Sequence, residues 1–122
     1  LTPMDTNLPT TLPLRPIADS VCVAPQLTPE AMAEAARLGF KSVINNRPDF
    51  EHGPDQPTSA AMEAAAQAAG LVYRHLPVDG GWQSPEQIAA FKALLAELPH
   101  PVLAFCRSGA RSTRLYQQAQ AI

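Results

Sequence analysis

The sequence has little to offer a metal, a nucleic acid or a membrane. It holds only two cysteines, Cys22 and Cys106, and three histidines, His52, His75 and His100. None of these five stands at metal-ligand spacing, which argues against a zinc-type site. No cofactor-binding motif is legible either. Positive charge is scarce: nine Lys and Arg face eleven Asp and Glu, for a formal net charge of −2, with no long run of either sign. That balance argues against nucleic acid or an acidic membrane as an obligatory partner. No stretch reaches the roughly 18 apolar residues of a membrane span. The first 20 residues lack the apolar run of a secretory signal. Two cysteines without a disulfide framework fit a reducing compartment, so a cytoplasmic location is expected. Nothing in the sequence fixes the oligomeric state.

What is present suits one domain. The chain has 122 residues, 46% of them hydrophobic, enough for one core and too few for two domains. Residues 1–14 carry three of the 13 prolines and read as an extended leader. The domain is expected over 15–122. Strand candidates lie around Pro16-Ile17 and Val21-Cys22-Val23. Thr28-Pro29-Glu30 opens a helix, with Thr as cap and Pro at the first helical position, and Gly39 stops it. Phe40–Asn45 reads as a buried strand, followed by a loop over 46–57. Ala60–Ala69 has helix composition, and Gly70 ends it. Leu71–Leu76 is the next strand. Ser84-Pro85-Glu86-Gln87 is a capping box opening a helix that buries Ile88, Phe91, Leu94, Leu95 and Leu98 at helical spacing. Pro101–Phe105 is a buried strand, and Gly109 or Ala110 opens the last helix. Such alternation predicts a mostly parallel sheet of four or five strands with helices on both faces. Ligands bind such sheets at the carboxyl ends of the strands.

Cys106 stands at such an end. The loop Cys106-Arg107-Ser108-Gly109-Ala110-Arg111-Ser112 joins a strand to a helix. A thiolate is the reactive form of cysteine, and a helix start with nearby arginines lowers its pKa. Arg107, Arg111 and Arg114 are three of the nine positive residues, within eight positions. Gly109 lets the backbone turn so that the amides from Arg107 to Arg111, Ala110 included, converge on one point. Arg111 can hold two oxygens of a tetrahedral anion, and Ser112 can donate to the sulfur as it leaves. Arg107, Ser108, Gly109, Ala110 and Ser112 are thus expected to line the substrate site. Cys22 reads as a core residue, with a resolving thiol for Cys106 as the other reading.

The loop resembles two families. Protein tyrosine and dual-specificity phosphatases have Cys, five residues, Arg, then Ser or Thr. Single-domain rhodanese sulfurtransferases often show Cys-Arg-Ser-Gly-x-Arg-Ser. Four residues separate Cys106 from Arg111, so loop length favours rhodanese. The remainder resembles another family more closely. Gln26-Leu27-Thr28-Pro29-Glu30, Gly39-Phe40-Lys41-Ser42-Val43-Ile44-Asn45-Asn46-Arg47-Pro48, His75-Leu76-Pro77-Val78 and the Cys loop together are similar to the DUF442, or beta-lactamase-hydrolase-like, phosphatase family. The similarity covers about residues 15 to 120. It implies a protein tyrosine or dual-specificity phosphatase-like α/β fold and hydrolysis of a phosphate monoester through a phosphocysteine. Some relatives are fused to or lie beside persulfide-handling enzymes, so sulfur chemistry stays open and the resemblance implies a phosphate- or sulfur-containing substrate. A non-catalytic oxyanion-binding or redox module is the third reading. Phosphatases usually place His before the Cys, and here that position is Phe105.

Phosphatases also use an Asp on a neighbouring loop to protonate the leaving oxygen. Asp79 stands where dual-specificity phosphatases keep that acid, although Asp-Gly is also a common turn dipeptide. Arg47 follows a strand on the same edge; it can contact an anion, or pair with Asp49 or Glu51, the reading favoured here. For Trp82, packing is favoured over stacking on a substrate. His75 and His100 are expected to be structural.

Overall fold

The computed structural model describes residues 9–122. The expected leader therefore falls mostly outside the described residues. Its last part is not detached: Leu12 and Leu14 pack against the core. Among the described residues no helix is long and apolar enough to cross a membrane.

Among the described residues nine elements follow in the order β1 (Arg15–Ala18), β2 (Val21–Ala24), α1 (Ala31–Arg37), β3 (Ser42–Asn45), α2 (Ser59–Ala68), β4 (Val72–His75), α3 (Pro85–Glu97), β5 (Val102–Phe105) and α4 (Ala110–Gln120). The five strands form one sheet in the order β1-β2-β5-β3-β4. β1 pairs antiparallel with β2, a short hairpin at one edge. The other three pairings are parallel. β5 is central, with Phe105 opposite Ala24 on one side and Asn45 on the other.

The inner strands β2, β3 and β5 are buried on both faces because helices cover both. Side chains alternate along each strand. Leu103 and Phe105 of β5, Cys22 of β2 and Val43 of β3 face a cluster with Met32 and Ala35 of α1 and Met62 and Ala66 of α2. Val102 and Ala104, Val23 and Ile44 face the other cluster, with Phe91 of α3 and Leu115 and Ala119 of α4.

Local chemistry sets the helix starts. Ser84 takes the Gln87 amide while the Gln87 side chain takes the Ser84 amide, the expected capping box. α2 is capped by Thr58 and starts one residue before its expected position. α1 starts later than expected, at Ala31. Thr28 Oγ1 still accepts from Ala31 N at 3.3 Å, but Pro29-Glu30 forms a turn rather than the first helical residues.

Cys22 is fully buried and aligned with Leu103. Cys106 lies three positions further along β5, about 10 Å away at roughly 3.3 Å per residue. A disulfide needs Cα atoms within about 7 Å. The resolving-thiol reading is therefore excluded by register. Burial pushes the Cys22 thiol up to about 11, as suits an inert core residue.

Candidate active site

The site forms where β5, β3 and β4 end. Cys106 leaves β5 with its amide on the Ala24 carbonyl (3.3 Å), while the Phe105 carbonyl takes the Asn46 amide (2.8 Å). Cys106 is thus pinned between β2 and β3. It is 1% exposed. The Gly109 amide donates to its sulfur at 3.0 Å, and the amides of Ser108 and Ser112 also reach it. Burial alone would raise the thiol pKa. The Ser112 amide and hydroxyl, with the Gly109 and Ser108 amides, outweigh that and hold it below its usual value.

Two details differ from the sequence-based expectation. The amides do not all converge on a point above the sulfur, because Ala110 N is turned onto Ser108 Oγ at 3.3 Å. The thiol is lowered by hydrogen bonds rather than by arginine charge, because Arg111 is already paired. Arg107 is exposed, and its carbonyl takes the Gln26 amide.

Gly109 caps α4 in a left-handed conformation, φ 93°, which glycine adopts without strain. Its carbonyl receives Thr113 through both amide and hydroxyl. Arg15 holds that hydroxyl at 3.0 Å, so the loop is braced from β1.

Arg111 is buried and held by two loops. Nη1 donates to the Val78 carbonyl (3.0 Å) and pairs with Glu51 Oε2 (3.0 Å). Nη2 donates to Glu51 Oε1 (3.2 Å). A guanidinium has five N–H groups, and these contacts use three. Nε is buried without a partner, the only such side-chain atom among the described residues. Nε–H and the second Nη2–H lie on one edge of the guanidinium. That edge is a two-pronged donor for an oxyanion. Gly80 lies against it: a Cβ there would sit 3.0 Å from Arg111 Nη2.

Glu51 is the residue that sequence reasoning missed in this role. Its Oε1 also takes Arg47 Nε at 2.9 Å, so one carboxylate joins two buried arginines. Burial raises its pKa, but bonds from Arg111 and Arg47 and their charges outweigh this and hold it below the usual carboxylate range. The Arg47–Glu51 pairing was legible four residues apart in the sequence; the Arg111 contact, across 60 positions, was not. Arg47 is further tied to Gln26 Oε1 (3.1 Å), and His75 Nε2 lies 2.8 Å from its carbonyl.

Asp79 sits on the loop over Arg111, next to Gly80. It is exposed, and its Oδ1 accepts the Gly81 amide at 2.6 Å, a turn-forming contact. The loop carrying it is anchored at four successive carbonyls. Pro77 receives Gln87, Val78 receives Arg111, Asp79 receives Gln83 and Gly80 receives Arg114. Trp82 departs from the packing expectation: it is 67% exposed, as Phe50 is at 64%. The loops holding Gly80 and Glu51 thus each carry an exposed aromatic side chain. His100 is tied to Ser20 and Leu95.

The family model for the phosphatase-like domain of beta-lactamase hydrolase-like proteins matches residues 13–122. The chain belongs to this family. A beta-lactamase hydrolase-like protein of Xylella fastidiosa is 37% identical over 106 residues, 87% of this chain and 24% of its own length. The chain therefore spans about a quarter of the curated relatives it matches. A crystal structure of a candidate phosphatase from Neisseria meningitidis is 31% identical, with TM-score 0.76, over 83% of this chain and 71% of that one. Tk-PTP in its active form shares the fold, with TM-score 0.60 at 18% identity over 88% of this chain and 80% of that one. The phosphatase-like domain thus has the protein tyrosine phosphatase-like α/β fold, with the Cys106 loop at the end of its central strand.

Proposed function

We propose that this domain is a cysteine-dependent phosphoric monoester hydrolase. The observation that carries the reading is a buried Cys106 on the same strand-to-helix loop as a buried Arg111 whose Nε–H is orphaned. Cys106 attacks phosphorus and the ester oxygen departs, leaving a phosphocysteine. Arg111 holds two phosphoryl oxygens while charge shifts onto them. The Cys106 loop from Arg107 through Ser108, Gly109 and Ala110 surrounds the group. Asp79 gives its proton to the departing oxygen, then takes one from the water that hydrolyses the intermediate. Ser112 donates to the sulfur as it leaves. Arg47 acts through Glu51, keeping the Arg111 edge turned inward. Thiolate chemistry suits a reducing compartment such as the bacterial cytoplasm.

A second reading, sulfur transfer through a Cys106 persulfide, is favoured by one observation. The loop is one residue shorter than in phosphatases, and its amides surround the sulfur itself, with Ala110 N turned away onto Ser108. The two readings share a nucleophile and differ in the need for an acid. Phosphate release from an aryl phosphate is measured beside thiocyanate formation from thiosulfate and cyanide, for the wild type and Cys106→Ser. The expected result is phosphate release that Cys106→Ser abolishes. Full phosphatase activity in Cys106→Ser rules the mechanism out, and thiocyanate formation alone moves the domain to the second reading.

A further inference from the structure

Asn46 stands directly after β3 and is fully buried, yet neither mechanism above uses it. Its four polar groups are all engaged. The amide donates to the Phe105 carbonyl, the residue before Cys106, and its own carbonyl takes the Val78 amide, the residue before Asp79. Nδ2 donates to the Leu76 carbonyl at 3.0 Å. That bond fixes which way the side-chain amide faces, so Oδ1 is the atom left for Ser112. Ser112 Oγ donates to it at 2.8 Å.

The same Ser112 hydroxyl also reaches the Cys106 sulfur. A hydroxyl has one proton and two lone pairs. While its proton lies on Asn46 Oδ1, it can offer the sulfur only a lone pair. That arrangement suits a neutral thiol, which donates S–H to oxygen, or a sulfur carrying a covalent adduct. A thiolate needs the proton instead. The hydroxyl must then turn from Asn46, leaving a buried carbonyl oxygen without its donor, which is costly.

We propose that Asn46 is a positioning residue that holds the Ser112 hydroxyl away from sulfur while the sulfur is neutral or bonded, and yields it when the thiolate forms. Asn46 thus opposes thiolate formation and Ser112 assists it. In the proposed phosphatase cycle this favours the phosphocysteine over the free thiolate. The switch itself depends only on the charge of the sulfur and stands whichever reaction Cys106 performs.

The charged and titratable groups around the loop come from several elements, and hydrogen bonds rather than any of their charges lower the thiol. Arg107 and Arg111 belong to its own loop, and Glu51 and Arg47 to the loop after β3. His75 ends β4, Asp79 follows it, and Arg15 of β1 stands behind Gly109. None is altered in the test. The pH dependence of Cys106 alkylation by iodoacetamide is measured for the wild type, Asn46→Leu, Ser112→Ala and the double variant, with thermal melting alongside. Asn46→Leu should lower the alkylation midpoint by roughly half to one pH unit, and Ser112→Ala should raise it by a similar amount. In the Ser112→Ala background the Asn46 change should have no effect. A rise on Asn46→Leu in a folded protein, or an equal shift in both backgrounds, overturns the proposal. Should Asn46→Leu not fold, the wild type still decides. The Asn46 side-chain amide resonance, followed by nitrogen-15 NMR, should shift with the alkylation midpoint and stay still in Ser112→Ala. A resonance that ignores the thiol titration refutes the switch. Neither readout needs turnover, so the result is separate from that of the phosphate-release assay.

Discussion

Replacing Glu51 with glutamine tests whether one carboxylate organises the site. Glu51 accepts from Arg47 Nε, Arg111 Nη2 and Arg111 Nη1. Glutamine has one carbonyl oxygen and an NH2, so one side of the side chain must present a donor to a guanidinium donor. At least one charge-assisted bond is lost, each worth about 1.5–3 kcal/mol. The Glu51 side chain is 27% exposed, so water compensates part of this, and a stability loss of about 1–3 kcal/mol is expected. The chemical effect should be larger than a surface pair would give, because Arg111 loses the partner that fixes its open edge. A barrier increase of about 1.4–2.7 kcal/mol corresponds to a 10- to 100-fold fall in kcat/KM. Glu51 is held below the usual carboxylate range, so its contribution is present above the unfolded value near pH 4.3. It disappears as the pH falls through the lower folded value. The stability gap between wild type and Glu51→Gln should therefore close in acid. Aryl phosphate kinetics and thermal melting as a function of pH are the assays. A variant within twofold of wild type in kcat/KM with an unchanged melting temperature would refute the reasoning.

Gly80→Ala should place a methyl group 3.0 Å from Arg111 Nη2; kcat/KM should drop by about tenfold with little loss of stability, read by the same two assays. Asp79→Asn should leave thiol alkylation unchanged. It should slow hydrolysis of alkyl phosphates by roughly 100-fold, and that of a substrate with a very acidic leaving group much less; equal effects on both substrates would remove Asp79 from the role of acid. Gly109→Ala forces a side chain into a conformation with φ 93° and should cost about 1–2 kcal/mol in chemical denaturation. Sulfate should protect Cys106 from alkylation, and Arg111→Ala should abolish that protection, as competition kinetics would show.

Strands and helices were legible because their signals are local. The Ser84 capping box, the glycines after α1 and α2 and the apolar run before Cys106 each act within a few residues, and each appears where expected. The place of Cys106 at the carboxyl end of a strand followed from strand–helix alternation. What was not legible comes from contacts far apart in the chain. Glu51 meets Arg111 across 60 positions, and Asn46 meets Ser112 across 66. No periodicity connects such residues, since both pairs exist only once β3 and β5 lie side by side. Trp82 was read as packed because an apolar ring usually is. Its loop is instead fixed through backbone carbonyls, which leaves the ring outside.

That manner of fixing the loop from Pro77 to Gly80 bears on how the site works in time. Its carbonyls are held by Gln87, Arg111, Gln83 and Arg114, three of them on α3 or α4. A segment tied in this way has little freedom left to lose when a substrate arrives. Binding energy is then not diverted to ordering a lid, and the departure of product does not wait for one to open. Turnover in such a site is expected to follow the chemical step, with a kcat that does not change with solvent viscosity.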